Sequence, residues 1–221
     1  MNFDFAFAVA IAPDVLNGIG NTILVTIVSS AGAAFLGFTW EMLRRSGRLG
    51  GYIMRVFIDC IRSTPVLVQL YFLFFVLPYY GVTLPAMFVG IFGLSLYFSG
   101  YLAEVFKAGI DAIPKGQYEA AEALGLSRPV TVIHILAPQM LRNIAAPMGG
   151  YFVSILKATP YLAVLAVPEM LGSAFDVASE TYRYAEPMLV AGVFFLALAL
   201  VVAAAVRRLE VRLLRQDREG A

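Results

Sequence analysis

Cysteine and histidine are nearly absent from this sequence, which has one residue of each among 221. The single Cys60 cannot form an intrachain disulfide, and together with the single His134 it leaves no multi-residue ligand set for a metal ion. The same scarcity argues against a serine or cysteine nucleophile activated by histidine. An intramembrane enzyme is therefore the weakest class of function for this chain.

Two further features are missing. No glycine-rich run followed by Lys and Ser or Thr occurs, so the sequence has no phosphate-binding loop with which to hydrolyse ATP. An excess of positive charge is also missing, because 16 Lys and Arg face 15 Asp and Glu and the net charge is +1. No nucleic-acid partner is expected for this reason. The start, MNFDFAFAVAIAPDV, lacks a basic region, so no short cleavable signal peptide is predicted.

Apolar residues are what the sequence has in excess. They make up 60% of the chain, and the mean hydropathy is +0.80. A soluble domain of this size cannot bury that much apolar surface, so the composition predicts an all-α integral membrane protein. The apolar runs predict one domain over residues 1–221, with spans at roughly 15–42, 52–77, 84–107, 143–168 and 187–206 and a long loop at about 108–142.

Lysine and arginine collect on one side of the five predicted spans. That side holds the segment after span one, the long loop and the tail, which carry Arg44, Arg45 and Arg48, then Lys107, Lys115, Arg128 and Arg142, then Arg207, Arg208, Arg212, Arg215 and Arg218. The opposite side has only Arg183. The positive-inside rule therefore predicts an amino terminus outside the cell and a carboxyl terminus and long loop in the cytoplasm.

The long loop contains a predicted short helix with residues typical of turns at both ends. Pro114 suits a first helical turn, Gly125 suits the left-handed position after a helix, and Ser127 can cap the next helix. Between them, KGQYEAAEAL presents alanines that permit close approach of another surface. A helix this short needs a docking surface. The residues alone leave two surfaces open, a partner protein or the bilayer interface.

The stretch EAAEALGLSRPVTVIHILAPQ resembles the EAA loop of ATP-binding-cassette (ABC) importer permeases. It has an EAA triplet, then a glycine, then an apolar stretch that ends at a proline. The stretches FIDCIRSTPVLVQLYFLFFVLP, SGYLAEVFKAGIDAIPKGQYEAAEALGLS and FVSILKATP resemble segments of the polar amino-acid (histidine/glutamine-type) permeases. Within that family, KATPYLAVLAVPEM and ETYRYAEPMLVAGVFFLALALVVAAAVRRLE are most similar to permeases for ectoine and hydroxyectoine.

This resemblance implies a type I ABC importer permease fold in the bacterial inner membrane. It makes the short helix a coupling helix, with Glu119, Ala120, Ala121 and Gly125 at the positions that engage the ATPase. It implies two cytoplasmic ATPase subunits, which use ATP and Mg, a second permease chain that is identical or paralogous, and an extracytoplasmic solute-binding protein. The chain itself would then carry no cofactor and would not be an enzyme.

Lys157 marks the most informative predicted span. The uncharged stretch before it is too short to cross a bilayer, which predicts a helix broken or kinked near its middle, where transporters often bind substrate. Lys157 would then face a substrate carboxylate and Thr159 would hydrogen-bond to it. The alternative is a structural ion pair between Lys157 and Glu169 or Glu104.

Other polar residues lie in spans two and three. Gln69 either packs against a neighbouring helix or faces a pathway. Pro65 is expected to kink span two. Two sets of charges are expected to pair along their own helices, and they are Arg55, Asp59 and Arg62 in span two and Glu104 with Lys107 in span three.

These features predict a permease subunit of an ATP-driven importer, which forms half of the pathway for a small zwitterionic solute. The resemblance favours ectoine or hydroxyectoine, and a polar or basic amino acid is the alternative. A function of another class, a stand-alone secondary transporter, would need coupling carboxylates deep in its spans, and spans one and five have none.

Overall fold

The computed structural model describes the backbone of residues 3–215 and the side chains as far as residue 212, so Arg218 of the basic tail lies outside the described residues. The described part is helical, which confirms the predicted all-α fold. Its α-helices are α1 (Phe5–Leu16), α2 (Ile19–Arg44), α3 (Arg48–Ser63), α4 (Val66–Tyr71), α5 (Ala86–Asp111), α6 (Lys115–Ala123), α7 (Arg128–Thr131), α8 (Ala137–Ala158), α9 (Met170–Thr181) and α10 (Ala185–Arg215).

Several helical stretches are long and apolar enough to cross a bilayer. Among the described residues these are Ile19–Arg44, Ala86–Asp111, Arg128–Thr181 and Ala185–Arg212, with the pair Arg48–Ser63 and Val66–Tyr80 as a fifth if it counts as one span. The two members of that pair bend by 99°. Thr64 has extended backbone angles, φ −97° and ψ 132°, because the ring of Pro65 disfavours a helical residue before it. The expected kink is therefore present.

The structure differs from the predicted boundaries at several places, and one of them is helix α9, which lies outside the predicted spans. Helix α1 was not predicted, and the first long helix begins after it, at Ile19. The turn between them brings Gly18 so close to α9 that a Cβ atom there would lie 2.4 Å from the carbonyl carbon of Glu169. The fourth stretch is helical from Arg128 rather than from 143, because charge limits which part of a helix enters the bilayer and not where the helix begins.

Helices α2 and α5 pack against each other at the centre of the bundle. Small residues permit this, since a Cβ atom on Gly37 would lie 2.9 Å from both the Leu102 Cβ and the Ser99 carbonyl oxygen. Polar side chains at the same interface form hydrogen bonds between the two helices. The Trp40 Nε1–H donates to the Ser99 hydroxyl at 3.0 Å, and the Ser29 hydroxyl donates to the Ile91 carbonyl at 3.2 Å. This pair of helices is the frame that carries the regions described next.

Candidate coupling segment and substrate groove

Helix α6 and the turn that follows it, residues 114–127, form what we call the coupling segment. The helix ends in a two-bond cap, in which the Gly125 N–H donates to the Glu122 carbonyl at 2.9 Å and the Leu126 N–H donates to the Ala121 carbonyl at 3.1 Å. Gly125 has φ +65°, in the left-handed region that side chains disfavour. The backbone therefore favours glycine here, although the space around it is open.

The side chains of α6 divide into two faces. Ala121 is 2% exposed and is therefore covered by other parts of the chain itself. Glu119 and Ala120 are exposed, and the apolar side chains of Tyr118 and Leu124 are 42% and 75% exposed. The positions that the family resemblance grouped together therefore separate, and Ala121 belongs to the packing face. The other residues of α6 are exposed, so the surface free for a partner includes Tyr118, Glu119, Ala120 and Leu124.

Side-chain contacts hold the coupling segment against the rest of the molecule. The Gln139 Nε2 of α8 donates to the Gln117 Oε1 of α6 at 3.1 Å. Just before α6, Ile113 is buried, and the Nη2 of Arg45, the residue after α2, donates to the Asp111 Oδ1 of α5 at 2.6 Å. The segment itself is thus tied to α8, and the Arg45–Asp111 bond fixes the end of the helix that leads into it; neither contact was visible as a sequence pattern.

An aromatic groove runs along α5 and α8. It comprises two adjoining cavities of about 450 and 500 Å³ that share Tyr101 and Tyr151. The first cavity also has Tyr97, Phe98, Tyr161 and Lys157 in its wall, and the second has Glu104, Asn143 and Pro147. A cation and an acid thus lie in the two parts of a groove with tyrosine walls. Spacing in the sequence does not reveal this set, because its members come from several elements.

Lys157 is exposed and lines the first cavity, and it also lines a smaller cavity between α8 and α10. Neither partner of the predicted structural ion pair is available to it. The Glu169 carboxylate caps α9 by accepting from the Leu171 and Gly172 N–H groups at 3.0 and 2.7 Å, and the Glu104 carboxylate accepts from Arg44 at 2.5 Å. Within residues 3–212 the ammonium of Lys157 has no ion pair, so the expected pair with Glu169 or Glu104 is not formed there.

Thr159 does not reach the groove. It is fully buried, and its hydroxyl donates to the Leu156 carbonyl at 2.9 Å. It stands where α8 ends and a 3-10 helix, Thr159–Leu165, begins. The interruption expected in this part of the chain is therefore present at Thr159. The side chain, however, hydrogen-bonds a backbone carbonyl at the end of α8 and is not free to bind a ligand.

The Gln69 side chain likewise hydrogen-bonds the backbone at a bend, the one before Pro65. Its Nε2 donates to the Ile61 carbonyl at 2.8 Å and to the Thr64 carbonyl at 3.3 Å, which the break before Pro65 leaves without helical partners. Its Oε1 is the one buried side-chain polar atom without a hydrogen-bond partner in the described part of the chain. The structure thus gives Gln69 a packing role, and it is not among the residues that line the groove.

The charges predicted to pair along their own helices pair mostly between helices. Arg62 of α3 lies 3.9 Å from Asp59 and 4.0 Å from Glu104 of α5, and its guanidinium stands 5.3 Å from the ring centre of Tyr101. The pair between Glu104 and Lys107 is absent from the ion pairs of residues 3–212, because Glu104 faces arginines of α2 and α3 instead. Sequence spacing along one helix could not show these neighbours.

Comparison with known proteins agrees with this arrangement. The family model of the binding-protein-dependent transport system inner membrane component matches residues 32–215. The chain belongs to this family.

Full-length relatives and a solved structure resemble this permease throughout. The probable amino-acid ABC transporter permease protein y4tG of Sinorhizobium fredii is 36% identical over 96% of this chain and 92% of its own length. The glutamine transport system permease protein GlnP of Escherichia coli is 28% identical over 96% of this chain and 99% of its own. A crystal structure of an amino acid ABC transporter with histidines matches with a TM-score of 0.87 and 28% identity, over 96% of this chain and 100% of that one.

This permease is therefore a subunit of an ABC importer with the type I fold. It is not an enzyme, because ATP hydrolysis belongs to a separate subunit in such importers. Membership of the family excludes the stand-alone secondary transporter.

Proposed function

We propose that this permease forms half of the pathway for a zwitterionic amino acid and that Lys157 binds the carboxylate of that substrate in the aromatic groove. The observation that carries the proposal is an exposed lysine that has no ion pair within residues 3–212 and lies in a wall where five of the nine residues are tyrosine or phenylalanine. An ammonium among apolar spans is costly unless it has a partner or a function. The carboxylate of each substrate molecule would pair with the Lys157 ammonium while that molecule is in the groove.

The rest of the groove suits the other end of a zwitterion. Tyrosine faces attract cations, and Tyr101 and Tyr151 line both cavities. Glu104, one third exposed at 33%, adds an acid in the second cavity, although Arg44 and Arg62 already neutralise part of its field. A solute with one positive and one negative group matches this arrangement, whereas a purely anionic solute would meet Glu104.

An amino acid is favoured over ectoine as the substrate. The named relatives are an amino-acid permease and a glutamine permease, and the matching solved structure is an amino acid transporter. Ectoine and hydroxyectoine, which the similarity of two segments suggested, also carry a carboxylate and a delocalised cation. They therefore remain the second candidates, and the groove chemistry does not separate them from an amino acid.

The machinery around the permease follows from its family and its charges. The exposed face of α6 docks on a cytoplasmic ATPase subunit, two such subunits supply the energy of ATP and Mg, and a second permease chain completes the pathway. A solute-binding protein delivers the substrate from outside. The distribution of Lys and Arg supports an outer amino terminus and a cytoplasmic carboxyl terminus in a bacterial inner membrane.

Ligand binding by the partner solute-binding protein tests the substrate. The purified protein is titrated with the common amino acids, ectoine and hydroxyectoine, and the whole transporter in proteoliposomes is assayed for uptake of each ligand with and without ATP. We expect one or a few amino acids to bind and to accumulate only with ATP. Preferential binding of ectoine or hydroxyectoine would replace the amino acid as substrate, and uptake that is indifferent to ATP would refute the transport role.

A further inference from the structure

A buried carboxylate lies at the end of α2, outside the groove and the coupling segment. Glu41 is 1% exposed, and both of its oxygens bind arginine. Its Oε2 accepts from the Arg44 Nε at 2.6 Å, and its Oε1 accepts from the Arg45 Nε at 2.5 Å. A charge buried this deeply is costly unless it is paired and fully hydrogen-bonded. Glu41 meets that condition only while both guanidinium groups stay in place.

Each arginine continues to a different carboxylate of α5. Arg44 binds Glu104 of the aromatic groove at 2.5 Å, and Arg45 binds Asp111, the last residue of α5, at 2.6 Å. Asp111 lies just before the Pro114 that opens the coupling segment. Three carboxylates therefore share two guanidinium groups, and Glu41 is the group that both arginines have in common.

We propose that Glu41 is a positioning residue that links the coupling segment to the substrate groove. Glu41 fixes Arg44 and Arg45 relative to each other. It thereby holds Glu104, which lies in the groove, and Asp111, which lies next to the coupling segment, in fixed positions against the end of α2. A displacement of α6 by the ATPase then reaches Glu104 through Asp111, Arg45, Glu41 and Arg44. This inference rests on the proposed function of the groove and of α6.

The pKa of Arg45 is consistent with strong hydrogen bonds from this residue to Glu41 and Asp111. Burial disfavours the charged guanidinium, but the hydrogen bonds to Asp111 and Glu41 outweigh it and raise the pKa of Arg45 above its ordinary value. A group that served only to stabilise the fold would change uptake and ATP hydrolysis together when it is weakened. A group that transmits motion would change their ratio, and this difference is measurable.

The test uses the complete transporter in proteoliposomes and measures substrate taken up per ATP hydrolysed. Glu41→Gln keeps the shape and removes the charge, Glu41→Asp keeps the charge, and Glu180→Gln changes an exposed acid of α9 as the control. We expect Glu41→Gln to co-purify with its ATPase and to lose at least about tenfold in substrate per ATP, as the loss of charge-assisted hydrogen bonds implies. Glu41→Asp should recover part of the ratio, and Glu180→Gln should match the wild type.

A second variant covers the case in which Glu41→Gln does not assemble. Asp111 is half exposed, so Asp111→Asn should fold, and it should lower the same ratio by a smaller factor. Combined with Glu41→Gln it should add little, because changes along one chain of contacts are not additive. A wild-type ratio in Glu41→Gln, or in Asp111→Asn alone if the first variant fails to assemble, would overturn the proposal. If the wild-type complex itself shows no ATP-driven uptake, the proposed function has failed instead.

Discussion

The coupling segment and the aromatic groove are built in opposite ways. The coupling segment is one continuous run, and its shape comes from a proline before the helix and a left-handed glycine after it. The groove collects side chains from α5, from α8 and from the turn after α8, and it depends on how those elements pack. One region is specified by local backbone chemistry and the other by tertiary structure.

This difference separates the effects of mutation in the two regions. In the coupling segment a substitution acts through backbone conformation or through one face of a short helix. In the groove it acts through the charge and volume that a side chain offers to a substrate. Mutations in the two regions should therefore fail in different assays, and four changes test that separation.

The largest effect is expected at Gly125. Gly125→Val places a β-branched residue at φ +65°, which costs at least about 1–2 kcal/mol in that conformation, so the turn should open and α6 should lose its aim. We expect the permease to insert into the membrane normally but to lose ATPase stimulation and uptake. Gly116→Ala is the matched control, because Gly116 lies in α6 with no neighbour within 4 Å of a new Cβ. Normal uptake in Gly125→Val would disprove the coupling role.

Lys157→Met should have the next largest effect. It keeps most of the volume of the side chain and removes the one cation that lines the first cavity among the described residues. A lost charge-assisted hydrogen bond of about 1.5–3 kcal/mol corresponds to a fall in uptake of about tenfold or more. Assembly and ATP hydrolysis should persist, and Lys107→Met, at an exposed site on α5, should transport normally. Wild-type uptake by the Lys157 variant would remove this residue from the pathway.

Adjacent alanines of α6 should respond differently. Ala121→Leu adds volume to a buried site and should destabilise the permease by about 1–3 kcal/mol, seen as a lower unfolding temperature of the purified subunit. Ala120→Leu lies on the exposed face, so it should leave that temperature unchanged and weaken recovery of the ATPase with the permease. The reverse pattern would show that the two faces of α6 have been assigned the wrong way round.

Thr159 should have the smallest effect. Thr159→Val removes one hydrogen bond to the Leu156 carbonyl and should cost about 0.5–1.5 kcal/mol of stability without changing the substrate concentration for half-maximal uptake. Thr159→Ser retains the hydroxyl and serves as the control. A marked change in apparent substrate affinity in the valine variant alone would place the hydroxyl in the pathway after all.

Several features could be predicted because they depend on near neighbours in the chain. Pro65 restricts the residue before it, and the bend at Thr64 follows. Gly125 is among the residues that tolerate a left-handed turn, and its motif pointed to the same position. The separation of Ala120 from Ala121 was missed, because both are small and the burial of each depends on how α6 lies against the bundle.

The candidate groove could be predicted only at Lys157. A lone lysine beside an apolar run is conspicuous, but the tyrosines around it resemble any other aromatic residues of a span until α5 and α8 are brought together. Thr159 was expected to bind the substrate, and Gln69 was expected either to pack against a helix or to face the pathway. In the structure both donate to backbone carbonyls beside helix interruptions. Nearby carbonyls accept from the Thr159 hydroxyl and the Gln69 amide nitrogen, so these donors need no ligand in an apolar setting.

The sequence by itself determined that this is an all-helical membrane protein, where its chain bends, and that a short helix with a glycine turn interrupts its spans. These depend on hydropathy and on backbone sterics, which act over a few residues. Only the tertiary structure decided which face of α6 is free and what surrounds Lys157. It also decided that Arg44 and Arg45 both bind the buried Glu41, while Arg44 binds Glu104 and Arg45 binds Asp111. Such pairings join residues distant in the chain, and packing alone brings their charges within reach.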